Sequence, residues 1–334
     1  MTPSVSGSGV TVQTVTPDTA IPWRIRLKDP YFWANWTVVA AFIVFFALFV
    51  ALEPGNFLTA FNVNSILTAA AVPAILTLGQ AFVIMTAGID LSNAAVLTLG
   101  AVSFGLGFAN GYPLVVCMLM AIVAGLIAGL INGILVAIFK IADFIVTLGM
   151  LSLAGGVALV ISDARPVQVI DPFLARMAIN SIWVVPILMI IALVLLVIAQ
   201  FVLTQTRFGT YVLATGGDSG VARAMGVNIK KIKISVYAIS GTLAGVAAIL
   251  TVARIGSAEP AVNTTFLLNS VAAVVLGGVS LFGGRGNMIG PFVGAILLMM
   301  IVNGLTVAGV PQYYQYIAVG VIIFLSAILV RNAK

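Results

Sequence analysis

Residues 85–92 read MTAGIDLS and set an acid in the middle of a long apolar stretch. Asp90 is the one charged residue between Ser65 and Phe108. How that carboxylate is tolerated depends on the solvent around the chain, and composition names the solvent. Hydrophobic residues make up 62% of the sequence and charged residues 7%. The mean hydropathy is +1.22. A soluble domain carries about 25% charged residues, so this chain lives in lipid. There is no His and a single Cys, Cys117, inside an apolar run. Those absences remove Ser-His-Asp triads and His/Cys metal sites within the chain, so catalytic and metal residues are expected to be none. Cys117 is expected to pack as a small hydrophobe. The formal charge of +6 is read as cytoplasmic loops rich in Lys and Arg, not as a nucleic-acid surface.

Spanning needs roughly 20 apolar residues. Ten segments qualify, at about 36–52, 65–86, 92–110, 112–139, 144–162, 183–203, 234–253, 266–282, 288–309 and 313–330. The 92–110 segment is short and Gly-rich and reads as broken or re-entrant, which lipid permits only where protein or a cavity covers the backbone. The fold expected is therefore all-α and polytopic, with about ten transmembrane helices. Eight or nine remain open if 92–110 or 266–282 does not cross. Residues 1–35 read as a disordered cytoplasmic tail with a membrane entry at Arg24, Arg26, Lys28, Trp33 and Trp36. Residues 36–331 form the transmembrane domain. Lys140, Arg207, Arg223, Lys230, Lys231, Lys233, Arg285, Arg331 and Lys334 fall after even-numbered spans. The other loops mix Arg165, Arg176 and Arg254 with Asp163, Asp171 and Glu259. This bias places both termini in the cytoplasm.

Glycines at small-xxx-small spacing, as at Gly125, Gly129 and Gly133, are expected to bring helices together. LGGVSLFGGRGNMIG lacks the ending of a phosphate loop, so uphill work needs an ion gradient or a partner. AFVIMTAGIDLSNAAVLTLG and AAVVLGGVSLFGGRGNMIG both read helix, Gly turn, helix, a weak internal echo of the kind transporter repeats show.

The long polar loop 204–233 contains DSGVARAMG. Asp218 fits an N-cap, Ala222 to Met225 a short helix and Gly226 a stop. Its apolar face centres on Val221 and Met225. It is either a positive-inside loop or a docking helix for a cytoplasmic partner.

Here the chain resembles the integral membrane permeases of the ribose/monosaccharide ATP-binding-cassette importers. The resemblance rests on NFLTAFNVNSIL, GIDLS, TRFGTYVLATGGDSGVARAMGVNIKKIKI, AAVVLGGVSLFGGRGNMIGPFVGA and NGLTVAGVPQYYQ, and covers about 36–331. GIDLS with GGVSLFGG favours sugar-type members over branched-chain amino-acid relatives. The loop departs from the family: Ser219-Gly220-Val221 stand where Glu-Ala-Ala is usual, with the acid at Asp218. The resemblance implies an importer of a ribose-like sugar or polyol in a bacterial inner membrane. It implies a second permease copy or paralogue, a separate ATPase that carries ATP and Mg, and an external sugar-binding protein. This chain would carry no cofactor, and its remaining neighbour is lipid. Gly217, Asp218, Ala222, Met225 and Gly226 would couple to the ATPase.

An Asp at a helix centre costs roughly 2.5–3.5 kcal/mol on insertion scales. Three readings of Asp90 stay open: a cap where one helix ends and the next begins, a group lining a sugar path, or the ion-coupling acid of a secondary transporter. In the first, Gly88 permits the turn and Asp90 satisfies backbone donors near Ser92. Asn64, Gln80, Asn132, Asn269 and Asn303 are further path candidates, each equally suited to holding helices together. They appear scattered singly over the spans, which argues against a tight sugar site.

Overall fold

The structure is a computed structural model that describes residues 30–331. The expected tail, with Arg24, Arg26 and Lys28, lies outside the described residues apart from its last few positions. Every apolar segment expected from sequence coincides with a helix: α1 Pro30–Leu52, α2 Ala60–Met85, α3 Asn93–Ala109, α4 Leu114–Ala137, α5 Asp143–Ile161, α7 Ile187–Gln205, α10 Ile229–Ile255, α11 Thr264–Leu276, α12 Ile289–Val307 and α13 Gln312–Arg331. Three further helices, α6 Pro172–Ile179, α8 Arg207–Gly217 and α9 Ser219–Ala224, lie in what reads as loop. Among the described residues, α2, α4, α5, α7, α10 and α12 are long and apolar enough to cross a membrane. The fold is that of an all-α polytopic membrane protein. Its strands are pairs of two residues: β1 Val167–Gln168 pairs with β4 Ser257–Ala258, and β2 Ser181–Ile182 with β3 Val185–Pro186.

Helix α2 is the most enclosed element, with every residue from Ala70 to Met85 buried. It is wrapped by α10, α12, α7 and α11. Helices α4, α5 and α7 expose Ile127, Ile145 and Val197, as a lipid-facing rim requires. Helix α1 forms a smaller apolar cluster against α12, with Phe49 and Phe57 beside Met300 and Ile301.

The glycines of α4 form its contact with α10. A Cβ on Gly129 would collide with the Tyr237 carbonyl, and Gly125 and Gly241 face each other backbone to backbone. The expectation of close helix approach holds at these positions. Gly129→Leu is therefore expected to wedge the helices apart. Overpacking costs roughly 1–3 kcal/mol even where side chains can shift, and here the obstacle is backbone. The check is the fraction of protein that stays monodisperse after heating, which should fall well below that of the parent.

The internal echo has a structural counterpart. Helix α2 ends with Ala87 in the left-handed region (φ 56), Ala87 N–H donating to Ile84 O and Gly88 N–H to Val83 O. Helix α11 ends with Gly278 at φ 78, Gly278 N–H donating to Val275 O and Val279 N–H to Val274 O. Both are the same C-terminal motif, in which two amides turn back to satisfy the last carbonyls. The two breaks also touch: Gly284 N–H donates to Met85 O at 2.9 Å.

Candidate functional site: the polar break and the surface helix

After Met85 the chain runs without helical structure through Thr86–Ser92 before α3 begins. Asp90 is buried within this break. Its Oδ1 accepts from the Ser92 amide at 2.9 Å and the Ser92 hydroxyl at 2.6 Å. Its Oδ2 accepts from the Ser240 hydroxyl on α10 at 2.8 Å. Asn132 of α4 donates to Ser92 Oγ at 2.9 Å. The carboxylate thus joins the break to α4 and α10. Ser240 lies about 15 Å along α10 from Lys230 and about 21 Å from Arg254, at about 1.5 Å per residue, so the junction sits in the middle of this long apolar helix.

Two details correct the sequence reading. Asp90 is not the N-cap of α3. Ser92 holds that place, with no side-chain capping bond, and Asp90 bonds the amide two residues on, an Asx turn. Nor does Gly88 supply the unusual dihedral, which falls on Ala87. Gly88 is needed for space, because a Cβ there would stand 2.6 Å from Asp143 Oδ2 and 3.1 Å from the Tyr237 hydroxyl.

Two of the five scattered path candidates, Gln80 and Asn132, belong to one polar gathering. Asn93 Nδ2 donates to Ser270 Oγ of α11 at 2.8 Å and lies 3.5 Å from Gln80 Oε1. Gln80, Asp90, Ser92, Asn93, Asn132, Ser240 and Ser270 are all buried and come from five helices and the break. Gln80 Nε2, Asn93 Oδ1 and Asn132 Oδ1 are buried without a partner among the described residues. Three other candidates stand apart. Asn64 donates to Val184 O at 3.0 Å beside the β2–β3 turn. Asn269 lines a cavity at the far end of α10, near Arg254. Asn303 leaves Oδ1 unpartnered on α12.

Sequence reasoning missed a second cluster. Asp143 at the start of α5 pairs with Lys233 at 3.2 Å and accepts from the Tyr237 hydroxyl at 2.9 Å. Tyr237 and Thr147 each lie 3.3 Å from Ile89 O. This cluster therefore clasps the residue next to Asp90. Lys233 reads from sequence as one of the loop charges, Asp143 carries no expectation, and nothing in local spacing pairs residues 90 apart.

The loop 204–233 is largely helical. Helix α8 buries Val212, Thr215 and Gly216 against the body. Asp218 then caps α9, its Oδ1 accepting from Gly220 N–H at 2.8 Å and Val221 N–H at 3.0 Å. Gly226, at φ 84, ends it, with Val227 N–H donating to Ala222 O at 3.0 Å. Val221 and Met225 are 61% and 80% exposed, whereas Ala222 is 4% exposed. Ala222 is thus turned inward and is no part of the outer face of α9. Gly217 is exposed beside Gly284. A Cβ on Gly216 would collide with Met85 O, and one on Gly283 would stand 2.7 Å from Ala87 N. The end of α8, the end of α2 and the glycine turn 283–284 are thus in direct contact beside the polar break.

A buried polar break among apolar helices, joined to a capped surface helix, marks a multi-pass membrane protein. The family described as "Branched-chain amino acid transport system / permease component" matches residues 62–327, and the chain belongs to it. Among curated proteins it is 38% identical to the ribose import permease protein RbsC of Escherichia coli, covering 91% of this chain and 97% of that protein. It is 33% identical to the D-allose transport system permease protein AlsC of Escherichia coli, over 91% and 95% of the two chains. It is also 33% identical to the fructose import permease protein FrcC of Rhizobium meliloti, over 81% and 78%. No solved structure matches.

Proposed function

We propose that this chain is the transmembrane subunit of an ATP-driven, binding-protein-dependent importer of a monosaccharide, ribose-like or a related sugar or polyol, in a bacterial inner membrane. The observation that carries the reading is the contact of α8 with the ends of α2 and the glycine turn. It supports a role in which force applied at the exposed face of α9 reaches the Asp90 break. The sugar import named for the relatives supports the cargo. An ion-coupled carrier would need Asp90 to exchange protons or cations with water, and here the carboxylate is engaged by three donors and buried.

In this reading the chain crosses the membrane ten times with both termini in the cytoplasm, and α3 and α11, of 17 and 13 residues, are the short spans that meet at Asn93 and Ser270. Two permease copies, identical or paralogous, form the pore. Two ATPase subunits, which hold ATP and Mg, dock on the 204–233 segments through Val221, Met225 and the Gly217–Asp218 edge. A sugar-binding protein meets the opposite face around 163–180 and 254–265. Gly88, Asp90, Ser92, Gln80 and Asn93 form the hinge of the path.

Both Asp90 oxygens are engaged within the break, and the three unpartnered atoms, Gln80 Nε2, Asn93 Oδ1 and Asn132 Oδ1, are too few to hold sugar tightly. Detergent-purified permease–ATPase complex is expected to show no saturable binding of D-ribose at micromolar concentrations, and its ATPase should accelerate with sugar-loaded binding protein. Micromolar binding by the chain alone would overturn this division of labour.

A further inference from the structure

On the face opposite α9 lies a cavity of about 440 Å³ between α10, α11, α12 and α13. Arg254 stands about 36 Å along α10 from Lys230, at about 1.5 Å per residue, which sets this cavity at the outer mouth. Its size falls in the range of about 300–1,000 Å³ usual for small-molecule sites. Arg254, Asn263, Thr265, Asn269 and Gln315 line it, among apolar groups such as Phe266. They come from three helices and the segment before α11.

Several of these groups are set for an outside ligand. Asn269 is 5% exposed, and no hydrogen bond joins its side chain to another described residue. Arg254 likewise has no ion pair or hydrogen bond among the described residues. Gln315 is held in place, donating from Nε2 to Thr306 Oγ1 and Val310 O at 3.1 Å each. Its remaining oxygen is an acceptor, with one geometry already fixed.

We infer that this outer cavity is a low-affinity entry site for a neutral monosaccharide, with Arg254 and Asn269 as its principal ligands. The inference rests on the import reading above and adds a place where sugar first meets the permease. Carboxamides offer donor and acceptor together, which is what a sugar hydroxyl needs. The planar guanidinium fork presents two parallel N–H groups, matching the oxygens of a vicinal diol. No Asp or Glu is among the residues lining the cavity, so the ammonium group of an amino acid would find no counter-charge there. That is the physical ground for a sugar over an amino acid. The cavity's partly apolar wall suits the C–H faces of a sugar ring.

The test uses the assembled importer with its ATPase in lipid nanodiscs, carrying Thr265→Cys as a reporter; the native Cys117 is buried. A water-soluble maleimide labels the reporter, and its rate without sugar scores assembly and access. D-ribose, D-allose or D-fructose should slow labelling saturably in the millimolar range. Sugar at three times its dissociation constant should slow it about fourfold, since free sites then fall to one quarter. Arg254→Gln and Asn269→Leu should each weaken that protection roughly three- to tenfold, the range for one lost hydrogen bond. L-leucine should not protect, and exchanging zwitterionic for anionic lipid should leave the rate unaltered. Three results would overturn the inference: no protection by a sugar that the importer carries, protection that survives both substitutions, or equal protection by L-leucine or anionic lipid. An assembled importer that carries no monosaccharide would instead fail the import reading, and the site with it.

Discussion

Asp90→Leu should be the most damaging single substitution in the membrane interior. It leaves the Ser92 amide, the Ser92 hydroxyl and the Ser240 hydroxyl without their acceptor. A buried donor left unmet costs about 1–3 kcal/mol. The hydroxyls can rotate toward other acceptors but the amide cannot, so the loss is expected at roughly 2–4 kcal/mol. That is a large share of a typical stability of about 5–15 kcal/mol. Asp90→Asn keeps an oxygen for the two Ser92 donors and turns an amide toward Ser240, whose hydroxyl can accept. It should fold and retain a substantial part of transport. Thermal unfolding followed by size exclusion, with uptake measured in parallel, separates the two. A leucine variant as heat-resistant as the parent would refute the bonding account. A well-folded asparagine variant without transport would move the role of Asp90 from geometry to charge.

Met225→Asp and Gly226→Pro should insert and fold yet uncouple ATP hydrolysis from transport. Met225 is the most exposed apolar side chain of the α8–α9 region. A carboxylate in its place, covered by a partner, carries an uncompensated desolvation cost. Gly226 sits at φ 84, which proline, locked near −65°, cannot adopt. Its amide bond to Arg223 O would go as well. Transport should drop more than about tenfold, the effect of 1.4 kcal/mol of lost docking energy. The readouts are ATPase rate and sugar uptake on the same preparation. Normal uptake in both variants would show that α9 does not dock the ATPase.

Much of this architecture is legible in the sequence because lipid imposes simple rules. Each apolar stretch is a helix, and α9 could be found because its signals are local: Asp218 at one end and Gly226 at the other. Helix α8 was hidden because Thr, Gly and Tyr interrupt an apolar face that only the body completes, at Val212 and Gly216. The break was half legible. A glycine in a turn invites the left-handed assignment, yet here two amide bonds hold Ala87 there and the Asp143 carboxylate needs the room at Gly88. The Ser240 contact spans 150 residues and the Lys233–Asp143 pair 90. Nothing in local spacing encodes such partners, so the gathering of polar groups around Asn93 could not be read from one chain.

Proteoliposomes holding this permease, its ATPase and ATP inside the lumen-facing nucleotide site, with sugar-loaded binding protein added to the opposite side, offer the most direct measurement. Uptake of labelled D-ribose, D-allose or D-fructose is expected to require both ATP and the binding protein, and to continue when a protonophore collapses the ion gradient. Sugar uptake that runs without ATP or binding protein, or that stops with the protonophore while ATP remains, would contradict the account and make Asp90 the coupling acid of a secondary transporter.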